Sequence, residues 1–175
     1  MEDSAWLKDH IRDIPDFPEP GVVFKDITPL LAYGPALAEC VDFLASSFAE
    51  RSVDKVVGVE ARGFILAAPV AVRLGAGFVP VRKPGKLPWR VRTETYQLEY
   101  GTDSLEVHED ALNAGERALI IDDVLATGGT AAAAARLVDH LGAEAVGFGC
   151  IIELSFLAGR DRLGDLQTVS MLSYE

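Results

Sequence analysis

Ala118-Leu119-Ile120-Ile121-Asp122-Asp123-Val124-Leu125-Ala126-Thr127-Gly128-Gly129-Thr130 is the stretch that decides the fold. It begins as an apolar run of strand length and passes through two adjacent acids into small and hydroxyl-bearing residues. It then enters an alanine-rich segment that reads as a helix over 130–141. The glycines allow a backbone to approach an anion closely. The unpaired N–H groups that open such a helix, its dipole, and the hydroxyls of Thr127 and Thr130 suit a phosphate. Asp122 and Asp123 would repel a phosphate but accept hydrogen bonds from vicinal hydroxyls, so the two halves of the stretch together fit a phosphorylated pentose. An isolated Asp-Asp or Gly-Gly pair would indicate only a solvated turn.

Working outward, apolar runs at 56–59 and 78–81 join the run at 118–121, with helical stretches at 64–74 and 130–141 between or after them. Strand-helix alternation of this kind implies an α/β fold with a parallel sheet. Residues 145–154 read as a glycine-containing strand and 168–174 as an edge strand. Pro35 stands where a first helical residue would, ahead of Leu37, Cys40, Val41, Leu44 and Phe48 at amphipathic spacing. Upstream, 22–24 is a short extended run. Residues 5–14 read as a leading helix, ended by Pro15, Pro18 and Pro20. Segments 95–100 and 104–109 alternate in polarity around Gly101-Thr102-Asp103, the pattern of a hairpin that would serve as a lid.

A chain of 175 residues with 49% hydrophobic content suits one domain with a substantial core. The acidic start Met1-Glu2-Asp3-Ser4 lacks the features of a signal peptide, and the longest apolar run, 64–72, is too short to span a bilayer. The expectation is a cytoplasmic protein with no membrane partner. Cys40 and Cys150 stand far apart with no zinc-ligand spacing, so both read as reduced structural thiols, and no protein metal site is expected. A formal charge of −11 excludes nucleic acid as a partner, because phosphate backbones reward Lys and Arg. Against that background Arg82, Lys83, Lys86, Arg90 and Arg92 gather before the next acid, Glu94. A local reversal of charge points to a small anionic ligand.

No Gly-x-x-x-x-Gly-Lys-Ser/Thr occurs, and Gly147 with Gly149 fails the dinucleotide pattern because Ile152 stands at the third glycine position. The loop from Asp122 to Thr130 resembles the phosphoribosyl pyrophosphate signature of the type I phosphoribosyltransferases. Four more blocks extend the likeness along the chain: Pro20 to Thr28, Val59 to Phe64, Val81 to Pro88 and Tyr96 to Gly101. All five, in order, resemble the adenine phosphoribosyltransferases of that family.

The resemblance implies a fold with a central, mainly parallel sheet flanked by helices, a small N-terminal hood over about 1–34 and a flexible hairpin lid over about 82–109, all in one domain. It implies transfer of a phosphoribosyl group from phosphoribosyl pyrophosphate to adenine, giving AMP and pyrophosphate, with Mg²⁺ carried mainly on the substrate. The family's phosphate and ribose contacts fall on Asp122, Asp123, Ala126, Thr127, Gly128, Gly129 and Thr130. Its pyrophosphate loop, in which a non-proline cis peptide is frequent, falls on Glu60-Ala61-Arg62-Gly63, with Ala61 and Arg62 as the contacts, and its basic stretch on Arg82, Lys83 and Lys86. Glu99 matches the residue that handles protons at the purine, Arg62 serves the leaving group, and Tyr100 helps enclose the ribose. Val23, Phe24, Lys25 and Leu154 fall where relatives hold the base. Relatives often carry arginine at position 25, whose planar fork a lysine lacks. The family implies a homodimer, with basic residues acting within one subunit or across to the next. Two other readings keep part of this pattern: another purine base as acceptor, or a catalytically silent purine-responsive regulator.

Overall fold

Alternating side chains bury both faces of the central strands. Val57, Val59, Ala118, Ile120, Phe148 and Cys150 enter one core, while Val56, Leu119, Ile121, Val146 and Ile152 enter another on the opposite face. The computed structural model describes residues 4–97 and 101–175. In chain order it forms β1 (Arg12–Pro15), β2 (Val23–Asp26), α1 (Thr28–Ala32), α2 (Gly34–Ser47), β3 (Lys55–Val59), α3 (Arg62–Leu74) and β4 (Gly77–Val81). There follow β5 (Val91–Gln97), β6 (Thr102–His108), β7 (Arg117–Ile121), β8 (Val124–Leu125), α4 (Gly129–His140), β9 (Glu144–Leu154) and β10 (Thr168–Tyr174).

The main sheet runs β10-β9-β7-β3-β4, with β8 alongside β9, and every pairing in it is parallel. The architecture is α/β, with helices on both faces of the sheet. Helix α4 and the β5–β6 hairpin cover one face, through Leu137, Val138, Leu105 and Val107. Helices α1 to α3 cover the other, through Leu30, Leu44, Leu66 and Val70. The strand at 168–174 lies at the sheet edge, as its sequence indicates. Among the described residues no helix is long and apolar enough to cross a membrane.

Three segments differ from the sequence reading. The leading helix expected over 5–14 is a 3-10 turn at Ser4–His10 followed by β1, which pairs antiparallel with β2. Arg12 to Pro15 satisfy their backbone across to Val23–Asp26, and the Lys25 ammonium bonds both Asp13 oxygens, at 2.7 and 2.8 Å. Helix α1 has no amphipathic signature at five residues; Asp26 starts it by accepting from the Thr28 amide at 2.9 Å and hydroxyl at 2.8 Å. In the hairpin, Thr102 and Asp103, expected in the turn, belong to β6 and pair with Gln97 and Tyr96, while residues 98–100 lie outside the described residues. The register follows from burial: Tyr96, Leu105 and Val107 share the inward face, and a slip of one residue would expose all three.

The glycines of β9 let α2 approach the sheet. A Cβ on Gly147 would lie 2.3 Å from Cε1 of the fully buried Phe48. Gly147→Ala is therefore expected to lower stability by about 1–3 kcal/mol, the usual cost of overpacking a filled core, and urea unfolding monitored by circular dichroism measures it.

Candidate active site

The carboxyl ends of β3, β7 and β9 open on one crevice, the position where parallel α/β sheets bind ligands. A cavity of about 420 Å³ lies there. Val23, Phe24 and Lys25 from β2 form one side and Ala61 with Arg62 the second. Asp122, Asp123, Ala126 and Thr130 form the third, and Leu154 closes the end of β9. Lys83 and Leu105 reach it from the hairpin side, and Glu60 also contributes. Eleven residues singled out in the sequence thus converge from segments far apart in the chain.

Gly128 caps α4 with φ of +78°, a left-handed conformation that favours glycine. The first i→i−4 bond recorded from this cap is Ala132 N–H to the Gly128 carbonyl at 2.9 Å, so the amides of Gly129, Thr130 and Ala131 precede it and have no acceptor within the helix. Thr127 stands in the loop just ahead, half-buried.

Asp122 and Asp123 are adjacent in sequence but unlike in setting. Asp122 is turned into the protein: its Oδ1 accepts the Asp123 amide at 2.9 Å and lies 3.0 Å from where a Cβ on Gly63 would stand. Burial first, then the neighbouring Asp123 charge, pushes the Asp122 carboxyl well above its ordinary value. Asp123 instead forms an ion pair with the Arg62 guanidinium, which also lies 5.1 Å over the Phe24 ring. The Asp123 carbonyl accepts the amides of Ile151 and Ile152 at 3.1 and 3.0 Å, fixing the loop to β9.

The Glu60–Ala61 peptide is cis. Glu60 draws the basic stretch inward: Oε2 accepts the Lys83 amide at 2.8 Å and Oε1 the Arg82 Nη2 at 3.2 Å. Burial would raise the Glu60 carboxyl, but the Lys83 amide and Arg82 outweigh it and hold it below its usual value. Arg82 also donates to the Lys86 carbonyl at 3.3 Å, so it and Lys86 sit beside the cavity wall and do not line it. The Lys83 ammonium pairs with Asp103. Lys25 borders the cavity with its ammonium on Asp13 and 4.3 Å from the Tyr174 ring centroid. Glu99 and Tyr100 lie outside the described residues.

Two contributors have no role assigned to them in the sequence reading. Gly159 presses on the phosphate loop: a Cβ there would stand 2.0 Å from the Ala126 carbonyl oxygen. Tyr96, nearly buried, packs on Gly129. Their partners are distant in the chain, and only the fold reveals the contact.

The phosphoribosyl transferase domain model matches residues 28–170. The adenine phosphoribosyltransferase of Acidothermus cellulolyticus is 61% identical over 163 residues, covering 93% of this chain and 92% of that protein. Among solved structures, adenine phosphoribosyltransferase from Thermoanaerobacter pseudethanolicus superposes with a TM-score of 0.95 at 48% identity, covering 97% of this chain and 99% of that one. The Saccharomyces cerevisiae enzyme, solved with an imino-altritol bisphosphate and adenine, gives 0.90 at 39% identity over 96% and 97% of the two chains. With the crevice built as described, these likenesses place the chain in the adenine phosphoribosyltransferase family.

Proposed function

We propose that the crevice at the carboxyl edge of the sheet transfers the 5-phosphoribosyl group of phosphoribosyl pyrophosphate to adenine, giving AMP and pyrophosphate in purine salvage. The observation that carries this reading is the meeting of an open helix N-terminus, two unlike carboxylates and the cations Arg62 and Lys83 around one cavity. The 5′-phosphate sits on the amides that open α4, with Ala126, Thr127, Gly128, Gly129 and Thr130 around it. Asp122 and Asp123 hold the ribose hydroxyls. Pyrophosphate meets Ala61, Arg62, Arg82, Lys83 and Lys86. Adenine lies between Phe24 and Leu154, edged by Val23 and Lys25.

The C1′–oxygen bond to pyrophosphate breaks with its electron pair leaving on the phosphate, and a purine nitrogen supplies the pair for the new C1′–N bond. Cations placed where that charge develops lower the barrier, and a closed lid keeps water from the ribosyl cation. Mg²⁺ carried mainly by the substrate would supply neutralisation of the charge that develops on the leaving pyrophosphate. The donor set suits a substrate-borne ion: Asp122 faces inward, Asp123 engages Arg62, and among the described residues no group of three acids, histidines or cysteines stands close enough to cage a metal. Residues of about 1–34 act as hood and about 82–109 as lid of a single domain.

The active form is a homodimer. Support comes from α3, which has no charged residue between Arg62 and Arg73 and turns Ile65, Ala68 and Val72 outward, with Phe78 exposed on the adjacent edge strand β4. Val72 is 82% exposed. A cytoplasmic location belongs to the same proposal, supported by Cys40 and Cys150, both buried free thiols; burial pushes the Cys40 thiol up to about 12.

With phosphoribosyl pyrophosphate and Mg²⁺, a product assay over the purine bases is expected to give AMP from adenine and at least about 100-fold slower turnover of hypoxanthine, guanine and xanthine, because a site that hydrogen-bonds the correct base leaves groups unpaired with a wrong one. Equal turnover of hypoxanthine would move the assignment to another acceptor. Glu99→Gln is expected to lower kcat by about 10²–10⁴, the usual share of general acid-base assistance; unchanged turnover would remove Glu99 from the chemistry. Val72→Glu should shift the protein from dimer to monomer in light scattering, since a charge would be buried in the interface.

A further inference from the structure

Four polar groups form one connected chain behind the cavity wall. The Lys83 ammonium pairs with Asp103. The Tyr96 hydroxyl lies 3.2 Å from the same Asp103 Oδ2 and 3.1 Å from Thr130 Oγ1. Both ends, Lys83 and Thr130, border the cavity, whereas Tyr96 and Asp103 do not. Tyr96 and Asp103 face each other across the β5–β6 hairpin, so the lid's own register sets the middle of the chain. The Tyr96 ring is fixed by packing: a Cβ on Gly129 would be 3.2 Å from its Cδ2.

Proton counting gives this chain a direction. Burial would raise the Asp103 carboxyl, but Lys83, the Ser104 amide and Tyr96 together hold it below its ordinary value, so it is ionised and accepts only. Tyr96 has one proton, which goes to Asp103. Thr130 must then donate its hydroxyl proton to the Tyr96 oxygen.

We propose that Tyr96 and Asp103 are positioning residues that couple the 5′-phosphate subsite at Thr130 to the pyrophosphate subsite at Lys83, so that occupancy of one weakens the other. This rests on the function proposed above and adds to it a link between the two subsites. A phosphate accepts only, and takes the Thr130 proton away from Tyr96. Tyr96, no longer polarised by that donor, gives a weaker bond to Asp103, and Asp103 then holds Lys83 more tightly. In reverse, a pyrophosphate that captures Lys83 leaves Asp103 to pull harder on Tyr96, and Tyr96 on the Thr130 proton. Linkage requires the two effects to be equal. The consequence is release: pyrophosphate departs more readily while the nucleotide's phosphate is still held.

The test is isothermal titration of magnesium pyrophosphate into the intact protein, with and without saturating ribose 5-phosphate. Saturation is expected to weaken pyrophosphate by about tenfold in the unmodified protein and by no more than about threefold in Tyr96→Phe, the remainder being plain charge repulsion. Asp103→Asn supplies a second readout that loss of packing would not produce: pyrophosphate alone should bind about threefold or more tightly, because Lys83 is released to it. The same coupling factor in Tyr96→Phe as in the unmodified protein, or pyrophosphate binding no tighter in Asp103→Asn, overturns the relay and leaves the proposed function standing. Failure of both ligands to bind the unmodified protein overturns the proposed function and the relay together.

Discussion

Two backbone segments touch at Gly128 and Gly159 with no room for a side chain on either. A Cβ on Gly128 would stand 2.2 Å from the Gly159 carbonyl oxygen. The contact presses the loop after β8 against the 3-10 turn Gly159–Leu163, and so fixes where α4 begins and where its first amides point. Everything else at the site is measured from that helix start. The carboxylates precede it in the loop that follows β7, Arg62 reaches it through Asp123, and the hairpin rests on it through Tyr96. An α4 begun one residue later would aim a different set of N–H groups at the crevice, because successive helical residues are rotated by roughly 100°.

The chain is strongly acidic, yet its site is built to receive anions, and the structure resolves the conflict by pairing. Arg62 lies on Asp123, Lys83 on Asp103 and Arg82 on Glu60. Each of these three cations has a carboxylate beside it, so they do not form an uncompensated cluster of like charges. A polyanionic substrate then competes with those carboxylates for partners already in position. Selectivity follows, since a ligand with a single charge gains too little to displace them.

Strand-helix alternation was legible because it depends on local pattern: the three apolar runs at 56–59, 78–81 and 118–121, the helix after Pro35 and the edge strand at 168–174 all form where their apolar spacing puts them. The phosphate loop was legible because its glycines, acids and hydroxyls are contiguous. What escaped depends on partners remote in sequence. Arg12 to Pro15 becomes a strand only because Val23 to Asp26 returns beside it. Asp122 and Asp123 look equivalent on paper, and differ because one faces the start of α3 and the other Arg62. Tyr96 reads as one residue of an alternating strand, and its link to Thr130 needs the hairpin laid against α4. The family resemblance supplied residue roles that spacing alone would not have assigned.

A crystal structure of the protein with AMP tests the central claim most directly, because it locates the phosphate relative to α4. The expected result is a phosphate within hydrogen-bond distance of the Gly129 and Thr130 amides, with the ribose hydroxyls on Asp122 and Asp123. A nucleotide whose phosphate lies instead against Arg82 and Lys86, leaving the start of α4 in contact with water alone, would contradict the account.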